Sequence, residues 1–218
     1  MTELENPNAP SSRDAGPRLR AQGLRWQPPQ GAWPGPHPLQ DGLDLEMGPG
    51  LHLVLGGEGR GKTALLGLLG GVLAPASGAL ERRLASQAWP DPLAEALDGQ
   101  LSRAWLAAEQ ARHPRWNAGV ASRLEQAWAL APHLDKQLHM LSAGSRRKLG
   151  LLAAAASGAA LVLLDLPFAA LDGSSRRVLL EVLEDAATSG RQIWVMADYA
   201  PPPGLEAALF ASRIDLGD

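Results

Sequence analysis

The chain has 218 residues, 45% of them hydrophobic, enough to bury a sizeable core without a second domain. A formal charge of −3 gives no electrostatic case for nucleic acid, and the Arg146 to Lys148 cluster is too short to supply a basic patch. Cysteine is absent, which excludes disulfides and thiolate chemistry, and His37, His52, His113, His133 and His139 have no metal-ligand spacing.

Residues 1–17 are polar and proline-bearing without an apolar stretch, so they read as a disordered tail and not as a secretion signal, with 18–218 as the folded domain. Leu51 to Leu55 reads as a short buried strand and Ala64 to Leu73 as a helix rich in Leu, Ala and Gly. Between them stands Gly56-Gly57-Glu58-Gly59-Arg60-Gly61-Lys62-Thr63, which meets every fixed position of a phosphate-binding P-loop in the strand, loop, helix context that motif requires. Glycines let successive N–H groups and the helix N-terminus, where Ala64 follows, face phosphate oxygens. Lys62 then reaches the outer phosphates and Thr63 offers a hydroxyl to Mg²⁺. Glu58, an acid within the loop, has to point outward or weaken affinity by repulsion.

Pro92 to Leu134 carries Leu93, Leu97, Leu101, Trp105, Trp116, Leu124, Trp128 and Leu130 among Ala, Gln and Arg, a pattern that suits amphipathic helices. The apolar run Leu149 to Leu164 is shorter than the roughly 20 residues a membrane span needs. Broken by Ser157-Gly158, it reads as helix, turn, strand. Its last part, Leu161-Val162-Leu163-Leu164-Asp165, matches a Walker B strand, whose terminal carboxylate helps hold Mg²⁺ beside the P-loop. A further strand is expected over Gln192 to Met196.

With Leu141-Ser142-Ala143-Gly144-Ser145 ahead of that strand, the chain resembles an ABC-type ATPase over nearly its whole length after residue 18. The resemblance implies an α/β fold of the P-loop NTPase class: a mostly parallel sheet flanked by helices, a trimmed antiparallel β-subdomain, and a helical subdomain over about 92–145. It implies ATP and Mg²⁺ as ligands, with Thr63, Gln87 and Asp165 around the metal. Ser142, Ala143 and Gly144 would open a helix that caps the γ-phosphate held by an opposite subunit. Ser145 stands where the family carries Gln. Ala170-Leu171-Asp172 takes the D-loop place, and Gln87 that of the Q-loop glutamine. An aromatic ring near the amino end would stack on adenine; Trp26 and Trp33, in the Pro/Gly-rich insert Gln27 to Pro38, are both candidates, with packing against the sheet as the alternative.

Two positions depart from the family pattern. Leu166 follows the Walker B aspartate where a glutamate should polarise the attacking water, and Ala197 occupies the place assigned to the switch histidine. Nucleotide binding and fast hydrolysis are therefore separable, and hydrolysis is expected to be impaired or partner-dependent. Chain length, Leu141 to Gly144 and Pro167-Phe168 resemble most the ATP-binding subunits of haem export in cytochrome c maturation. Such a subunit is expected in the cytoplasm, peripheral on the membrane, with a membrane permease and a second ABC subunit as partners. A nonhydrolysing regulatory or structural cassette is the second reading.

Overall fold

The computed structural model describes residues 16–27 and 39–217. The tail to residue 15 and Trp33 lie outside them. Arg18–Trp26 (β1) buries Leu19, Ala21, Leu24 and Trp26 while its alternate residues face out, with a register shift between Ala21 and Leu24. It pairs antiparallel with Leu39–Met47 (β2) on one side and Ser77–Arg83 (β4) on the other. Between β2 and β4 come Gly50–Leu55 (β3) and the helix Lys62–Leu69 (α1). β4 is exposed along nearly its whole length. Its Glu81, Arg82 and Arg83 are charges of the kind that keep an open sheet edge from pairing further. The small antiparallel sheet expected from the resemblance therefore has three strands.

The main sheet is parallel throughout. Gln87–Ala88 (β5), Leu161–Asp165 (β6), Ile193–Asp198 (β7), β3 and Phe210–Asp215 (β8) lie side by side in that order. β3 is buried at every position, and β6 and β7 at all but the last. Continuous apolar runs are what a strand covered on both faces demands. Alternation sorts them: Val54, Leu161, Leu163, Val195 and Ala197 pack with α1 and the small sheet, whereas Leu51, Leu53, Leu55, Val162, Leu164 and Met196 pack with the helices of the other face. Each fully buried leucine here contributes roughly 2 kcal/mol through burial. What remains half-exposed are the two terminal carboxylates, Asp165 and Asp198, side by side at the carboxyl edge of the sheet.

Ser102–Arg112 (α2), Ala118–Ala127 (α3) and Ala143–Ala156 (α4) follow β5, and Gly173–Ser189 (α5) lies between β6 and β7. Each of α3, α4 and α5 begins at a polar cap, Asn117, Ser142 and Asp172, whose side chain accepts from the N–H three residues on. Trp105 and Trp128 are core residues, and the Trp128 indole donates to the Ser175 carbonyl at 3.3 Å, tying α3 to α5. α1 stops at Leu69 instead of running to Leu73, because the Gly70-Gly71 pair ends it.

Candidate functional site

Leaving β3, the chain turns through Gly59 and Gly61 at φ 75° and 83°, backbone angles that disfavour any residue with a Cβ. α1 then starts with no side-chain cap and no acid in its first turn, so its leading N–H groups are left for an anion. Lys62 is 7% exposed, and its ammonium donates to the Gly56 and Gly57 carbonyls at 2.7 and 2.6 Å. Burial lowers its pKa, against the pull of Asp165, Asp198 and Glu58. Glu58 is exposed, the outward orientation the loop requires; Arg60 is half-buried and Ala64 buried.

Thr63 Oγ1 donates to Asp165 Oδ2 at 2.5 Å. The other oxygen of Asp165, Oδ1, is buried without a hydrogen-bond partner. Burial raises the Asp165 carboxyl, the Thr63 bond and the charges of Lys62 and Arg147 oppose the rise, and Asp91 adds to it. An orphaned carboxylate oxygen beside a hydroxyl fits Mg²⁺, a hard cation that takes few protein oxygens and leaves the rest to phosphates and water. Among the described residues no cluster of three acidic or imidazole side chains could cage a metal alone. A cavity of about 320 Å³ adjoins the pair, lined by Thr63, Trp89, Asp91, Arg147, Asp165 and Leu166 among others.

Three expectations are corrected. Gln87 pairs with Leu161 at the start of β6, four residues before Asp165, or roughly 13 Å along a strand. Its side chain accepts from Arg82, so it is not beside Thr63 and Asp165; Trp89 to Asp91 occupy the cavity wall instead. Ala197 is fully buried under the sheet, and the next residue, Asp198, is the one that acts on Lys62. Trp26 is 8% exposed and packed in the cluster shared by the small sheet and α1, so its ring is no open stacking face.

Leu166 directly follows β6. Its backbone is left-handed at φ 46°, its N–H donates to the Ala197 carbonyl at 2.9 Å, and its own carbonyl accepts from Arg147 Nη1 at 2.7 Å. Ser142 and Ala143 are exposed at the start of α4 and do not line the cavity that holds Thr63 and Asp165. Ser145 is buried and Gly144 is half-buried.

Sequence reasoning missed Asp91, Arg147, Asp198 and Tyr199. The basic cluster it noticed turns out to be a clamp. Arg146 donates to the Pro92 carbonyl at 2.7 Å, Arg147 to the carbonyls of Asp165 and Leu166, and Lys148 faces Asp172 at 3.7 Å. One turn of α4 thus fixes the cavity wall, the end of β6 and the start of α5. Charge alternation gave no hint of it; only the position after the signature could have.

The ABC transporter family pattern matches residues 40–169, more than half of the chain. A cytochrome c biogenesis ATP-binding export protein CcmA of Novosphingobium aromaticivorans is 34% identical over 164 residues, covering 73% of this chain and 78% of that one. A taurine import ATP-binding protein TauB of Pseudomonas entomophila is 32% identical over 165 residues, covering 67% of this chain and 61% of that one. A solved ATP-binding subunit of an ABC transporter, at 18% identity, superposes with a TM-score of 0.64 over 82% of this chain and 78% of its own, a likeness of fold. The chain belongs to the ABC transporter family, as an ATP-binding subunit.

Proposed function

We propose that residues 18–218 bind Mg-ATP between the P-loop and β6, and that the subunit pairs head to tail with a second ATP-binding subunit on a membrane permease. Its place is the cytoplasmic face of the membrane, as a peripheral subunit; among the described residues no helix is long and apolar enough to cross one. Lys62 and the loop N–H groups hold phosphates, while Thr63 and Asp165 hold Mg²⁺, which supplies charge neutralisation to the outer phosphates. Ser142, Ala143 and Gly144, exposed or half-buried and outside the chain's own cavity, serve the partner's nucleotide.

The observation that carries the mechanism is Leu166. An apolar side chain stands between the cavity beside Asp165 and a second one beside Asp198, so position 166 itself offers no carboxylate to polarise water. Own-site hydrolysis is therefore slow, and turnover in the complex falls to a partner site served by Ser142 and Gly144. The same residue favours the second reading, in which ATP only holds a membrane-associated complex together. Phosphate release by the chain alone and with its partner subunit separates them: a rise that Ser142→Arg abolishes supports the first, and no rise supports the second.

For substrate, the 34% identical CcmA supports a part in cytochrome c biogenesis, haem export is what the resemblance at Leu141 to Gly144 and Pro167-Phe168 implies, and the TauB match is the competing case. Deleting the gene and staining c-type cytochromes for covalent haem tests this. Loss of holocytochrome supports the assignment, whereas normal haem staining with failed growth on taurine as sulfur source moves it to import.

A further inference from the structure

The end of β7 turns two side chains toward the phosphate loop. Asp198 is level with Leu55, the last residue of β3 before the loop, and its carboxylate acts on the Lys62 ammonium together with Asp165 and Glu58. Tyr199 lays its ring 4.1 Å from Lys62 Nζ, and its N–H donates to Asp198 Oδ1 at 2.8 Å, which fixes the carboxylate's position. Lys62 is thus surrounded by two carbonyls, a π face and negative charge before any ligand arrives.

The cations that could offset Asp198 are otherwise engaged. Arg176 acts on it from α5, but its Nη1 donates to the Phe168 carbonyl at 3.3 Å and its guanidinium lies 5.1 Å over the Phe168 ring. Arg147 is bound to the Asp165 and Leu166 carbonyls. Asp91 adds a further negative charge on the Asp165 side. A divalent cation at Thr63 and Asp165 would answer Asp165, whereas Asp198 is answered by the Tyr199 N–H and by the charges of Arg176, Lys62 and Arg147, each of these cations already held by backbone carbonyls.

This asymmetry matters for the length of a phosphate chain. The second phosphate of a nucleotide is cradled by the loop N–H groups and the start of α1, whereas a third extends toward Lys62 and the carboxyl edge of the sheet. We propose that Asp198 is the specificity-determining residue of the site: its carboxylate opposes a third phosphate, so the chain holds Mg-bound nucleoside diphosphate more tightly than triphosphate. The proposal rests on the reading that Gly56 to Thr63 bind a nucleotide.

The test is calorimetric titration of the full chain with Mg-ADP and Mg-ATP, for the natural protein and for Asp198→Asn. The expected result is tighter ADP binding by about 10-fold in the natural protein, with Asp198→Asn gaining about 10-fold for ATP and changing within about 2-fold for ADP. Asp198→His, which replaces the charge by a donor, moves ATP affinity the same way and covers the case where the Asn variant does not fold. ATP bound as tightly as ADP by the natural protein, or equal changes for both nucleotides in the variants, overturns the proposal while leaving nucleotide binding in place. Binding of neither nucleotide overturns the underlying reading as well.

Discussion

A methyl group at Gly144 would lie 2.5 Å from the carbonyl oxygen of Ala170. The first turn of the signature helix therefore rests directly on the loop that follows the Walker B strand, backbone against backbone. The contact belongs to the same junction as Arg147 on the carbonyls of Asp165 and Leu166 and Lys148 beside Asp172. On the proposed pairing, the surface that would meet a partner's nucleotide is thereby tied to the end of β6 in the same chain.

Gly144→Ala should consequently lower stability by about 1–3 kcal/mol, because the carbonyl belongs to backbone and has to shift. Chemical denaturation reads this directly. A variant as stable as the natural chain would mean that the loop at Ala170, itself left-handed at φ 60°, moves freely.

Asp165→Asn should stabilise the ligand-free chain at neutral pH while removing its response to Mg-nucleotide. The sign follows from the raised carboxyl: a folded-state pKa above the unfolded value gives stability that is complete below the unfolded pKa and lost as pH rises through the folded one. At pH 7 the charged form is therefore a liability in the empty site. Removing it is expected to gain on the order of 1 kcal/mol, the usual scale for a buried group left without a partner. Thermal melts with and without Mg-nucleotide check both halves, and a destabilised empty variant would mean that the Asp165 charge is not a liability in the empty site.

His52 predicts an acid-side loss of stability. Its ring is 2% exposed, donating through Nε2 to the Gly48 carbonyl at 2.9 Å and accepting at Nδ1 from the Ser212 hydroxyl at 2.7 Å, an arrangement that suits the neutral form. Burial lowers its pKa, so its stabilisation is present above about 6.5 and lost as pH falls through the lower folded value. His113 and His133 shift the same way. From pH 8 to pH 5 the melting temperature of the natural chain should fall relative to that of His52→Gln; parallel curves would remove His52 from the explanation.

Leu166→Glu combined with Asp198→His should raise phosphate release by the isolated chain about 10- to 100-fold, provided two copies can pair. The second substitution is at Asp198 because Ala197 points into the core. Unchanged release from a variant that binds ATP would show that pairing with itself does not assemble a working site.

What could be read from the sequence was whatever depends on neighbours in the chain. The turns at Gly59 and Gly61, the buried run to Asp165 and the helix that opens after Ser142 each express a local backbone requirement, and that strand and helix form where expected. Misplaced residues are those whose position is set by pairing across the sheet. β5 has two residues, too few to show its direction or register, and only its pairing with Leu161 puts Gln87 at the far edge. At the end of β7 a shift of one residue exchanges core and mouth, which is the whole difference between Ala197 and Asp198. Arg147 is legible only once α4 is seen lying across the end of β6.

The measurement closest to the central claim is the shift in melting temperature on adding Mg-nucleotide to the natural chain and to Lys62→Ala. At a ligand concentration about 100 times Kd, binding to the folded state alone stabilises by about 2.7 kcal/mol, or roughly 5–10 °C for a domain of this size. That shift is expected in the natural chain and is lost in Lys62→Ala, each compared with its own ligand-free melt because the variant also loses the bonds to the Gly56 and Gly57 carbonyls. An equal shift in both proteins would contradict it, because the loop from Gly56 to Thr63 would then be a turn and not a phosphate site.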